Sequence, residues 1–342
     1  MRGVMRAVLW SLALALALPI AACKSSQAGA SAGDGDGKVA FLLSTLQEER
    51  YKKDEKYFEE TARSRGLASF TLSADNDNAR QLAQVEDALA KHAKVLVIQP
   101  TDSAAAAGYV ANAHAHGAKV VAYDRSVPGA DFSVAHDSHA VGVLQAQEAL
   151  KATHGKGNYV LLNGQSGHSV ASEIARGYHE TLQPYVDSGA VTIVVEKNND
   201  AWSPEQALKT VEDAISKTKG HIDAILANNS GMARGAVQAV QAARLGDRGI
   251  FIAGADADAA NVNYVCEGKQ SIEVLKEIEP LAREAATVAA EILHGRTPSA
   301  EAGPSGVPTI SIPVVVIRAD NVKKMLIDSG FHSADELPSC KQ

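Results

Sequence analysis

The sequence predicts a doubly wound α/β protein of two similar lobes, each a parallel sheet with helices on both faces. Three observations carry this. From Lys38 onward, short apolar β-branched runs alternate with amphipathic stretches of helical length. The runs are apolar at consecutive positions, as strands buried on both faces are. There are ten or eleven of them, too many for one ordinary sheet of this kind, and the pattern restarts near residue 140, so two lobes follow.

Residues 1–22 precede this body. Arg2 and Arg6 are followed by an uncharged stretch, Ala7 to Ala22, interrupted by Ser11 and Pro19. Its apolar core is shorter than the roughly 20 residues a membrane span needs, so it reads as an export signal outside the fold. The ending Ile20-Ala21-Ala22-Cys23 resembles a bacterial lipobox, in which Cys23 carries diacylglycerol and becomes the mature N-terminus; an ordinary secretory signal with an incidental cysteine is the alternative. Residues 23–37 supply only small and polar side chains after the cysteine and read as a flexible tether. The expected location is outside the cytoplasm, in the periplasm or on the outer face of the cell membrane.

The strands of the first lobe are expected at 39–43, 69–73, 95–100, 119–124 and 132–137, and those of the second at 158–164, 192–197, 224–229, 250–256 and 271–276. A long helix over 279–293, a Gly/Pro/Ser-rich loop and a last apolar run, SIPVVVI at 311–317, complete the chain. The lobes would comprise 38–137 with 278–308, and 138–277 with 309–342. Crossovers near 137–141, 276–279 and 305–310 would form a three-strand hinge.

Loss of residues 1–22 leaves 320 residues of the 342 and removes two arginines, so 31 basic face 40 acidic residues, a formal charge of −9. Such an acidic body gives no footprint for nucleic acid. Cys266 and Cys340 remain after Cys23; in an oxidising compartment they can form a structural disulfide, and two unpaired thiols are the alternative.

Ligands of open parallel sheets bind beyond the carboxyl ends of the strands. Polar residues gather there: Gln47 to Tyr51, Asp124-Arg125, Asn163 to Ser166, Asn199 to Trp202, Asn228 to Ser230, Asp256 to Asp258, and Lys276. Planar Arg, Asp and Asn side chains grip neighbouring hydroxyls in pairs, and an aromatic ring stacks on the C–H face of a pyranose, so the set suits a monosaccharide. No G-x-G-x-x-G or Walker loop is present, and Asn163 to His168 is not a nucleophile elbow, so neither a cofactor nor enzymatic chemistry is expected. His114-x-His116 and His136-x-x-His139 lack a completing ligand set, and no metal is expected. Asp75 to Asn78 reads as a turn.

The stretches ERYKKDEKYF (49–58), VLVIQP, VVAYDR, LQPYVDSG (182–189), AWSPEQALK (201–209), GADAD (254–258), EVLK (273–276) and SGFHSADEL (329–337) carry a resemblance. Over nearly the whole mature length the chain resembles the type I periplasmic binding proteins, in the ribose-, galactose- and D-xylose-binding group. The resemblance implies sugar contacts at Arg50, Arg125, Trp202, Asn229, Asp256 and Lys276; Tyr51 and Asp124 join them from their neighbouring positions. It also implies hinge closure on a monosaccharide, delivery to an ABC permease, and a monomer; a sensor handing its closed form to a chemoreceptor or kinase is the alternative. Three positions depart from the pattern: Tyr51 for a tryptophan, Ser169-Val170 for an asparagine, and Ser230 for an aspartate. Tyr51 can still stack but is smaller and adds a hydroxyl, and at least one ligand hydroxyl is expected to lose a partner, where an unmatched buried polar group costs roughly 1–3 kcal/mol.

Overall fold

The structure, a computed structural model, describes residues 37–303 and 306–340. The export signal, Cys23 and the tether as far as residue 36 lie outside the described residues. Among the described residues no helix is long and apolar enough to cross a membrane.

The first lobe begins β1 (Lys38–Leu43), α1 (Glu49–Ser64), β2 (Ser69–Ser73), α2 (Asn78–Ala90), β3 (Ala93–Ile98), α3 (Ala107–Ala115), β4 (Lys119–Tyr123) and β5 (Phe132–His136). The second lobe follows with α4 (Ser138–Ala152), β6 (Gly157–Asn163), α5 (Ser169–Asp187), β7 (Val191–Asn198), α6 (Pro204–Thr218) and β8 (Ala224–Ala227). It continues through α7 (Ser230–Ala242), β9 (Phe251–Ala255), α8 (Ala259–Cys266) and β10 (Ile272–Lys276). The chain then returns to the first lobe as α9 (Ile278–Leu293), β11 (Glu301–Ala302) and β12 (Pro308–Ile312), and ends in the second with β13 (Val314–Ile317).

The first sheet runs β11-β12-β5-β4-β3-β1-β2 and the second β13-β10-β9-β8-β6-β7. Every pairing is parallel except β11 with β12 and β13 with β10. The consecutive apolar runs are explained by burial on both sides: in β1, Val39, Phe41 and Leu43 face α1 and α9, while Ala40 and Leu42 face α2 and α3. A separate core fills the second lobe around β6 and β8.

Side-chain caps fix where helices leave the strand ends. Asp77, Asp137, Ser203 and Asn229 each accept a hydrogen bond from a backbone N–H in the first turn of α2, α4, α6 and α7. Asp75 and Asn76 make a left-handed turn just before that first cap.

The third crossing differs from expectation. β12 pairs in register with β5, Thr309 opposite Ser133 through Ile312 opposite His136, so residues 309–312 belong to the first sheet and not to the second lobe. The run read as one strand is two, because Pro313 has no N–H for a ladder and divides it between the sheets. The other two crossings fall at Asp137 and Glu277.

The C-terminal tail packs Leu326 and Leu337 against Val262, Leu275 and Ile317. Cys266 and Cys340 form a disulfide with Cα atoms 5.2 Å apart, closing the tail onto α8.

Candidate functional site

All eight residues singled out in the sequence line one cleft between the lobes, together with Glu48 and Val170. Each arrives from a strand end or the loop beyond it. Arg50 and Tyr51 stand in the first turn of α1, and Asp124 and Arg125 follow β4. From the second lobe come Trp202 after β7, Asn229 capping α7, Asp256 after β9, and Lys276 at the end of β10.

The backbone at these ends is strained. Asp124, Trp202 and Asp256 have φ of 60°, 56° and 95°, a region that side chains other than glycine rarely adopt. Each costs on the order of 1–3 kcal/mol. Hydrogen bonds hold them: Gln99 Nε2 donates to Asp124 Oδ2 at 3.2 Å, and the Asp256 and Ala257 amides donate to Val274 O and Glu273 Oε2, each at 3.0 Å.

The charges interlock. Arg50 lies 3.5 Å from Asp124 Oδ1 and, across the cleft, 3.6 Å from Asp256 Oδ1. Lys276 Nζ approaches Asp256 Oδ1 at 2.6 Å, at ion-pair distance but off the hydrogen-bonding direction. Burial alone would push the Asp124 carboxyl up, yet Arg50, then His136 and Lys276, together hold it well below the usual carboxylate range. The buried atoms Arg50 Nη2, Asp124 Oδ1 and Asp256 Oδ1 have no hydrogen-bond partner within the described residues. Buried polar atoms nearly always have a hydrogen-bond partner, so these atoms hold unused donor and acceptor capacity at the cleft. The Asn229 Oδ1 is used by the Met232 amide at 2.9 Å, leaving its Nδ2 as the donor for the cleft.

Arg125 forms no ion pair with Asp124; it donates to Pro100 O at 2.8 Å and to the Tyr51 hydroxyl at 3.3 Å. Tyr51, expected as a stacking surface, has the Arg50 guanidinium 5.1 Å above its ring, so that face is taken and the hydroxyl positions Arg125.

Two residues of the site were not singled out in the sequence. Glu48, within the strand-end cluster Gln47 to Tyr51 but not chosen from it, borders the cavity. His168, at the end of the segment dismissed as an elbow, is 1 % exposed and accepts the Trp202 indole N–H on Nδ1 at 2.7 Å. Its Nε2 lies 3.4 Å from Arg125. Burial, aided by Arg125, lowers its pKa to about 3, so it is a neutral strut between the ring and the opposite lobe. No position-specific signal marks either residue, since their roles depend on which neighbours the fold brings.

Ser230 does not face the cleft, contrary to the expectation that its change costs a ligand contact. Its hydroxyl lies 2.9 Å from Ala255 O and 2.7 Å from Glu273 Oε2. A hydroxyl has one hydrogen; if it donates to the carbonyl, a protonated Glu273 must donate to it. Burial pushes Glu273 up to about 8, which agrees. Val170 does line the cavity and presents an apolar wall.

The lobes are closed on one another. The Ser103 amide donates to Gly167 O at 3.1 Å, the Ser169 amide to Ser103 Oγ at 3.2 Å, and the Ser126 amide to Ser169 Oγ at 2.8 Å. A wider groove alongside, between Ser133 and Ser311 of the first sheet and Glu173 of α5, shares only Asp124 and Val170 with the cleft. The histidines read as metal-free have protein partners: His114 with Asp131, His116 with the Asn112 carbonyl, His136 with the Glu277 carbonyl and His139 with Glu180.

Two doubly wound lobes closed over a polar cleft have the architecture of a solute-binding protein. The chain belongs to the periplasmic binding protein domain family, whose pattern matches residues 39–297. It is 35% identical over 306 residues to the D-xylose-binding periplasmic protein of Escherichia coli K12, spanning 88% of this chain and 92% of the relative. It is 28% identical to the multiple sugar-binding periplasmic receptor ChvE of Rhizobium radiobacter, with the same coverage of each. Among solved structures, a carbohydrate transporter solute-binding protein from Chloroflexus aurantiacus in complex with D-glucose superposes with a TM-score of 0.79 at 31% identity, covering 87% of this chain and 97% of that one.

Proposed function

We propose that the protein captures a free monosaccharide, D-xylose or a close relative, by closure of its two lobes, and presents the closed form to an ABC permease. The observation that carries this is the set of buried groups Arg50, Asp124 and Asp256, which converge from both lobes at ion-pair distance with hydrogen-bonding capacity left unused, beside the Asn229 amide and the Trp202 ring. Donors and acceptors in both directions are what adjacent hydroxyls need, and the ring offers a stacking face. The names of the D-xylose-binding and D-glucose-bound relatives support the ligand class.

On this reading residues 1–22 are an export signal, Cys23 is lipid-anchored, and the tether holds a monomeric body near the membrane. The hinge comprises the three interlobe crossings. The word receptor in the Rhizobium radiobacter relative's name keeps a second reading in view, a sensor that hands its closed form to a signalling partner.

Isothermal titration against xylose, ribose, arabinose, glucose, galactose and allose tests the proposal. One sugar should bind with micromolar or tighter affinity and change the fluorescence of Trp202, the sole tryptophan besides Trp10. Binding should be lost in Trp202→Ala. Silence across the panel would reject the sugar assignment.

A further inference from the structure

Glu48 stands at the N-cap of α1 on an extended backbone, but its side chain caps nothing. Among the described residues no hydrogen bond or ion pair engages its carboxyl. The elements around it contribute charges: Arg50 and Tyr51 from α1, Asp124 and Arg125 after β4, Asp256 after β9, and Lys276 from β10. Behind this lining Asp54 is hydrogen-bonded by Tyr123 and paired with Arg50, burial lowers the pKa values of His136 and His168, and Glu273 lies under the Asp256 loop.

The lining therefore holds three carboxylates, Glu48, Asp124 and Asp256, against three cations, Arg50, Arg125 and Lys276. A charge enclosed away from water must be matched by its surroundings or by what it encloses. Asp54 behind the lining is paired with Arg50, so what Glu48 changes is a difference: with Glu48 ionised the enclosed groups carry one more negative charge, which opposes an anion, and with Glu48 neutral that opposition is removed.

We propose, building on the sugar-binding reading, that Glu48 is the residue by which the closed cleft selects an uncharged sugar over the same sugar bearing a carboxylate. Burial pushes Glu48 up to about 7, with Arg125 the leading opposing influence. Selection is therefore full above pH 7. Above pH 7 binding an anion takes up a proton, so anion affinity rises as pH falls towards 7, by up to tenfold per unit, and selection is relaxed once Glu48 is protonated below it.

D-Xylose, D-glucose and D-glucuronate share their ring hydroxyl arrangement and differ at C5, which carries hydrogen, hydroxymethyl or carboxylate. They are titrated at pH 6 and pH 8 into the native protein, Glu48→Gln and Glu48→Asp. In the native protein the ratio of glucuronate to glucose Kd should be at least tenfold larger at pH 8 than at pH 6. In Glu48→Gln it should be small and the same at both, and Glu48→Asp should restore the pH dependence. A ratio in Glu48→Gln equal to the native one at pH 8, or a native ratio that does not change with pH, overturns the proposal. So does binding of xylose with exclusion of both six-carbon sugars, which would be selection by shape. In all of these cases the sugar-binding reading stands; it falls, and this proposal with it, only when no neutral sugar binds.

Discussion

Gly164→Ala tests whether the Trp202 ring is held in place by the loop after β6. A methyl at position 164 would sit 2.5 Å from two atoms of the indole, Cη2 and Cζ3. Carbon atoms pack at about 3.5–4.0 Å, so the ring must retreat by roughly 1 Å. That retreat stretches or breaks the 2.7 Å bond from the indole N–H to His168 and disturbs the contact of His168 with Arg125. Overpacking costs about 1–3 kcal/mol and an orphaned buried N–H a similar amount. Those two costs lie within the second lobe and are shared by the open and closed states; what falls on the bound state is the displaced stacking face of Trp202 and the interlobe contact of His168 with Arg125. Affinity for whichever sugar the native protein takes should fall by about 10-fold to a few hundred-fold, each tenfold being about 1.4 kcal/mol. Titration calorimetry reads the affinity, and Trp202 fluorescence reads the ring. Native affinity with an unshifted emission spectrum would refute the idea that ring position is set by Gly164 and His168. His168→Phe, which removes the acceptor and keeps a ring, should reproduce the affinity loss.

Two further outcomes follow from groups beneath the site. The folded-state pKa of Glu273, about 8, lies above that of an exposed glutamate, so its stabilising contribution is complete in acid and is lost as pH rises towards 8; in urea denaturation the native protein should lose stability relative to Glu273→Gln by about 1.4 kcal/mol per pH unit between pH 5 and 8, and parallel curves would assign the dependence elsewhere. Cys266→Ser should lower stability by about 2–4 kcal/mol while leaving sugar affinity within about twofold, because Leu337 and the His332 bond to Ala257 O still seat the tail; loss of binding would show that the disulfide shapes the cleft.

Strand positions were legible because burial on both faces of a parallel sheet leaves a continuous apolar run that no neighbour can disguise. β1 and β6 are of this kind, with nearly every residue buried. The crossing at Pro313 was misplaced because the residues on either side, Ile312 and Val314, are equally apolar, and only the pairing of β12 with β5 assigns one to each sheet. Positions of the site residues were legible for the same reason that strands were: a parallel sheet ends its strands on one edge, so polar residues just past a run gather there.

What those residues touch is set by packing, which sequence position does not encode. Position 230 shows it best. The resemblance places an acid there, facing the ligand, whereas the chain has Ser230 bonded to the buried acid Glu273 and turned under the Asp256 loop. The exchange therefore bears on the strained backbone at Asp256 and only through it on the ligand. The change at Val170 is of the opposite kind: its side chain meets the cavity directly. A polar contact is thus absent from one wall while Glu48 adds a carboxyl to the lining, so specificity follows from the charge balance of the whole lining rather than from any single departure. Residue-by-residue transfer could locate this cleft, but its preference depends on a sum that includes Glu48, a position outside the transferred set.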